Sequence, residues 1–137
     1  MVKEKFKQLI ITKISNKFLL ILISSIFLSF ISSEVKEYKG TATYYGKNYT
    51  GRLTASGERF HKDSLTAAHK TFKFGTVVKV TNLINDSVRY VKINDRLPKS
   101  SSHIIDLSYG TAKQMNFLSR GVIPVTLEIV DTVPIKK

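Results

Sequence analysis

A mainly β fold, a small barrel of about six short strands with one short helix, is what this sequence of 137 residues predicts. Three observations carry the prediction. Short runs rich in Val, Ile, Thr and Tyr recur between clusters of Gly, Asn, Asp and Ser. Two of these runs, Gly75–Leu83 and Ser87–Asp95, flank a turn that suits a hairpin. Beyond residue 33 one stretch, Ser108–Leu118, reads as a helix, with Ser108 or Thr111 near its start and Gly121 after it.

The elements follow in chain order. Lys3, Lys5, Lys7, Lys13 and Lys17 precede an uncharged apolar run from Phe18 to Ser33. A basic start, a short apolar run and a small-residue exit describe an export signal cut near Ser33, or an N-terminal anchor if it is retained. Residues 1–33 are therefore set apart, with 34–39 as a polar lead-in, 40–131 as the barrel and 132–137 as a loose tail. Gly40–Gly46 alternates and is the first strand. Lys47–Ser64 is a long loop with two glycines, of a length that usually serves function. Ser64–Phe72 has no decided period. His103–Ser108 and Val122–Val130 complete the strands, and Pro124 suggests an edge or a bulge in the last of them.

Composition narrows the function. The formal charge is +12, and the part after residue 33 keeps +8, because residues 1–33 hold five lysines and Glu4. An exported basic protein meets anionic wall polymers and lipid headgroups rather than nucleic acid. No cysteine is present, which excludes a lipoprotein anchor and disulfides. The expected location is the periplasm or cell envelope, and the expected state is a monomer with no cofactor. His61, His69 and His103 lack metal-ligand spacing. No phosphate-binding loop occurs, and Ser56 in "TASGE" does not match a nucleophile elbow.

Carboxylates remain. Asp86 lies in the hairpin turn, Glu128 on a solvated face, and Asp63 before Ser64 at a turn. Asp106, inside the apolar "IIDLS", is expected to be structural, with backbone N–H groups or Arg96 as partners. Glu58 in the long loop and Asp95 at a strand end are the pair left for chemistry. Glycosidic cleavage needs two such groups, one protonated and one ionised. On the residues alone, a solvated Glu58 and a turn or ion-paired Asp95 stand equally open.

The strings "ATYYGKNYTGRLTASGERFHKDSLTAAHKTFKFGTVVKVTNL", "VKINDRLP" and "IIDLS" closely resemble the RlpA (rare lipoprotein A) domain, from about Gly40 to Val130. The resemblance implies a six-stranded double-psi β-barrel of the septal lytic transglycosylase family. It implies a groove for peptidoglycan glycan strands, preferably without stem peptides. The implied reaction is non-hydrolytic: the muramic 6-hydroxyl attacks the anomeric carbon and leaves a 1,6-anhydro end. The family's active-site groups fall on Glu58, His69 and Asp95. Asp95 is then the general acid and later the base, Glu58 the charge stabiliser, and His69 a hydrogen-bonding holder of a carboxylate or sugar. Tyr44, Tyr45 and Tyr49 offer rings to sugar faces, although one of the strand pair fills the core instead. Thr54, Ser56, Asn94 and Arg96 complete the substrate-binding set.

Departures from the family pattern are Tyr44 for Trp, His103 for Arg and Leu97 for Gly. The Leu97 change predicts a rearranged loop after Asp95, since leucine does not share glycine's freedom at positive φ. The SPOR domain that many members carry is not in these 137 residues. A non-catalytic, expansin-like glycan-binding barrel and an envelope protein-interaction module are the alternatives.

Overall fold

The computed structural model describes residues 1–29 and 35–130. The expected cut near Ser33 and the loose tail 132–137 fall outside the described residues. The chain forms two compact units, Met1–Glu34 and Val35–Lys137. The first holds helix α1 (Val2–Ser29). Among the described residues no helix is long and apolar enough to cross a membrane.

The second unit is a closed barrel of β1 (Glu37–Tyr44), β2 (Thr66–His69), β3 (Val77–Asn82), β4 (Val88–Arg96), β5 (Ile105–Leu107) and β6 (Ile123–Val130). Around the barrel the order is β1-β5-β2-β4-β3-β6. The pairs β1/β5 and β2/β4 are parallel; the other four are antiparallel. The expected lead-in 34–39 is in part strand. Glu37, Tyr38 and Lys39 pair with Glu128, Leu127 and Thr126, because β6 is long enough to continue the ladder past Gly40.

Alternation builds the core. Val78 and Val80 of β3, Val91 and Ile93 of β4, and Val125 and Leu127 of β6 are all fully buried. Each fully buried side chain of this size contributes roughly 1.5–3 kcal/mol. The β3–β4 hairpin forms as expected, but its turn chemistry lies elsewhere than Asp86. Asn82 Oδ1 accepts from Ile84 N and Asn85 Oδ1 from Ser87 N, while Asp86 takes φ 57°. Side chains of Asn82, Asn85 and Ser87 all donate to Met115 O, so the turn caps the helix that follows β5.

That helix, α2 (Tyr109–Gln114), is N-capped by Ser108, whose Oγ accepts from Thr111 N at 3.2 Å. It is shorter than Ser108–Leu118. Asn116 takes φ 56° and breaks it, and Gly121 closes a later turn on Phe117 O instead. Gly110 lets the helix start touch the loop before β2: a Cβ there would lie 2.7 Å from Asp63 Cα.

Pro124 is on no edge, since the barrel is closed. It lies one residue beyond the last β3–β6 pair, Asn82 with Val125, where its missing N–H interrupts little. Glu128 is not merely solvated: it pairs with Lys79 at 2.7 Å across β3 and β6. Asp63 caps nothing; its carboxylate pairs with Lys62.

Candidate active site

The loop between β1 and β2 is ordered by its own backbone. Gly51 N donates to Phe60 O and Phe60 N to Arg52 O, both at 2.8 Å, and Thr54 N donates to Glu58 O at 2.8 Å. The loop is thus a narrow hairpin-like arch rather than an irregular excursion. Its tip turns at Gly57, φ 86°, a conformation that suits glycine. Thr54 Oγ1 bonds Glu58 O and Ser56 Oγ, so both hydroxyls expected for substrate are engaged in the turn. Thr54 still borders the cavity described below.

Strand β4 holds the arch. The β2–β4 register shifts between Ala67 and Ala68, which pair with Ile93 and Asp95, so Asn94 is the extra residue of a bulge. The bulge lets consecutive side chains serve one loop. Asn94 Nδ2 donates to Glu58 Oε2 at 3.0 Å, and Asp95 Oδ1 accepts from Ala55 N at 2.9 Å. Asp95 also accepts from Arg96 N at 2.8 Å and from the Tyr45 hydroxyl at 3.1 Å. Three donors converge on Asp95 and fix the orientation of its carboxylate. Leu97 is buried at 9% exposure and lies outside the positive-φ region, and the Asp95 contacts above form beside it.

Glu58 is the exposed carboxylate. Its bonds to Lys92, at 2.7 Å, and Asn94 hold it below the ordinary glutamate range. It is ionised at neutral pH and fits charge stabilisation, not proton donation.

Asp106 has neither backbone N–H partners nor Arg96. Its carboxylate accepts from Thr43 Oγ1 at 2.7 Å. Register places it in one row across four strands: Thr43 of β1, Asp106 of β5, Ala68 of β2 and Asp95 of β4. Side chains in such a row share a face. Two strand spacings put the Asp95 and Asp106 Cα atoms about 10 Å apart, with alanine between. Burial raises Asp106 above the ordinary aspartate value, and Asp95 adds to this, against lowering by Thr43 and His103. Burial, Asp95 and then Asp106 raise the Tyr45 phenol, which sits within reach of both fields. Among the described carboxylates, Asp106 is the one whose pKa is shifted upward. His103 in turn bonds Thr41 Oγ1 at 2.8 Å.

His69 does not join the carboxylates. It is 7% exposed, its ring stacks on Phe72 at 3.6 Å, and its Nδ1 accepts from Thr71 N and Phe72 N. Burial, then Arg96 and Lys70, lower it from 6.5 to about 4, so the neutral ring staples a turn. A depressed imidazole costs stability only when it is forced to charge. The melting temperature is thus expected to fall as pH drops from about 6.5 towards about 4. His69→Asn, which retains an acceptor near Nδ1, should flatten that slope in thermal unfolding followed by circular dichroism.

Of the tyrosines, Tyr44 is structural: its hydroxyl donates to Leu118 O and its ring packs edge-on against Phe117 at 5.6 Å. Arg96 is likewise occupied, over the Phe74 ring at 3.8 Å and on His69 O. Tyr45 and Tyr49 do face a cavity of about 250 Å³, which Phe60, Thr54 and Asp95 also line. Arg52 and Leu53 complete its wall. These two, with Phe60, Lys92 and Thr43, are the site residues that sequence reasoning missed. The arch motif is the signal that brackets the first three.

A closed six-stranded barrel with two parallel pairs and a carboxylate row beside an aromatic-lined cavity defines the double-psi class of β-barrel. Residues 37–127 match the family profile described as lytic transglycolase. The chain belongs to that family, in its RlpA-like branch. It is 49% identical over 100 residues to the probable endolytic peptidoglycan transglycosylase RlpA of Synechocystis sp., covering 72% of this chain and 31% of that protein. It is 44% identical over 91 residues to the endolytic peptidoglycan transglycosylase RlpA of Campylobacter jejuni, covering 66% of this chain and 33% of the relative. The chain thus spans about a third of the length of the curated relatives it matches. Among solved structures, a Clavibacter michiganensis expansin in complex with cellohexaose superposes with TM-score 0.59 at 18% identity, over 72% of this chain and 52% of that one. A Streptomyces papain inhibitor superposes with TM-score 0.54 at 23% identity, over 71% of this chain and 97% of that one. Both share the fold alone.

Proposed function

We propose that this protein is an endolytic lytic transglycosylase that cuts peptidoglycan strands between N-acetylmuramic acid and N-acetylglucosamine. The observation that carries the proposal is the row of Asp95 and Asp106 across Ala68, beside the Tyr45–Tyr49 cavity. The acid role falls on Asp106 rather than on Asp95, where the family motif alone puts it. Asp106 protonates the leaving 4-oxygen of the glucosamine as the glycosidic bond breaks. Asp95 takes the proton of the muramic 6-hydroxyl, whose oxygen closes on the anomeric carbon. The proton then passes from Asp95 back to Asp106, and no water is consumed. Ionised Glu58, with Asp95, stabilises the positive charge that builds on the sugar ring. Tyr45 and Tyr49 present rings to the glycan.

The basic segment before the apolar run supports export, as signal or anchor, to the periplasm, with the barrel acting as a monomer at wall that includes the septum. Residues 35–137 carry a net charge that favours an anionic wall polymer.

The test is to incubate the full chain with amidase-treated glycan strands and weigh the products. Anhydro-muramic ends are expected, and Asp95→Asn should remove them. Strand binding without new ends would sink the proposal in favour of an expansin-like binder. Ordinary reducing ends would mean hydrolysis.

A further inference from the structure

The cavity beside Asp95 contains one cation. Arg52 lines it together with Tyr45, Tyr49 and Asp95. Among the described residues the ion pairs are Lys39–Glu37, Lys62–Asp63, Lys79–Glu128 and Lys92–Glu58; Arg52 is in none. Other nearby cations are engaged: Lys92 on Glu58, Arg59 on Gly51 O, and Arg96 on Phe74 and His69 O. The Arg52 backbone is held in the arch, and its exposed side chain lies beside Tyr49. Its N donates to Tyr49 O at 3.1 Å, its O accepts from Phe60 N at 2.8 Å, and its guanidinium lies 5.4 Å from the Tyr49 ring centre. A guanidinium outside any ion pair, at the wall of a sugar-sized cavity, is a ready fork for a carboxylate.

We propose that Arg52 forms a carboxylate-binding subsite and that it takes the free lactyl carboxylate of a muramic acid residue. The inference rests on the proposed peptidoglycan substrate and assigns the residue that reads it. Muramic acid differs from its neighbour in the strand by this acidic ether. Its carboxyl is charged when no peptide is attached and is an uncharged amide when one is. Asp95, in the same cavity, repels an anion, so the carboxylate is favoured only at the Arg52 position. Seating it there orients the muramic ring and sets which of the two alternating glycosidic bonds meets the carboxylate row. Arg52 is thus a specificity residue, and its effect appears in substrate preference rather than in proton transfer.

The experiment compares two preparations of amidase-treated strands, one untouched and one with the lactyl carboxylates converted to methylamides. Binding by co-sedimentation and anhydro ends by mass are measured for the full chain and variants. The unmodified protein should favour the free-acid strands by about tenfold or more, the usual worth of a charge-assisted bond. Arg52→Gln should collapse that preference towards unity, and Arg52→Lys should retain part of it. Arg89→Gln removes the same charge outside the cavity, where Arg89 bonds Gln114, and should keep the full preference. Equal treatment of both strands by the unmodified protein overturns the inference. So does full preference in Arg52→Gln, or loss of preference in Arg89→Gln, which would reduce the effect to net charge. If no anhydro ends form at all, the transglycosylase proposal fails, and the binding comparison alone decides the subsite.

Discussion

Asp106→Asn is expected to lower the release of anhydro ends by about 10²–10⁴-fold, the usual contribution of a positioned general acid. The substitution is close to isosteric and leaves an oxygen for Thr43 Oγ1, so the barrel should fold. It should also be more stable at neutral pH. Folding raises Asp106 above its unfolded value, so ionising it in the folded state carries a penalty. That penalty is present above the folded value and vanishes as pH falls to the ordinary aspartate range. The melting temperature of Asp106→Asn should therefore exceed that of the parent near pH 7, with the gap closing in acid. Activity and melting curves on one preparation test both halves. A variant that keeps its activity while Asp95→Asn loses it would return the acid role to Asp95.

Ala68→Leu should have the second-largest effect. Ala68 is fully buried between Asp95 and Asp106 in the β4–β2–β5 register. A leucine there overpacks the strand row and spreads the two carboxyl groups. Misplacement of reacting groups by about 1 Å can cost about 10²-fold in rate. Overpacking of a filled site costs about 1–3 kcal/mol, or roughly 4–8 °C per kcal/mol in a domain of this size. Ala68→Gly adds no bulk and should retain most of the rate. Equal rates for Ala68→Leu and the parent, both folded, would show that the two carboxylates do not act together across this row.

The parts of the molecule that show in the sequence are those built from local signals. The β3–β4 hairpin is legible in its valines and its Asn-Asp turn, and the start of α2 in Ser108. Asp95 and Glu58 are legible as the carboxylates left without a structural task. Long-range partners are not. Asp106 reads as structural because its partner Thr43 and the nearby Asp95 lie on two other strands. The arch of residues 51–60 looks irregular because backbone bonds, which leave no side-chain period, order it. The bulge at Asn94 has no local mark either, yet it is what aims Asn94 and Asp95 at the same loop. His69 sits in a motif beside reactive groups, and the turn at Thr71–Phe72 engages its Nδ1.

The ladder that closes the barrel joins its first strand to its last, with Glu37 opposite Glu128 and Ala42 opposite Ile123. During synthesis, β1 emerges long before the strand it needs. Bringing such distant segments together is slow, because loop-closure entropy must be overcome before the contacts reward it. A nascent chain therefore cannot complete this barrel until Val130 has left the ribosome. Until then the seam between β1 and β6 stays open, so the last strand sets when the barrel can close.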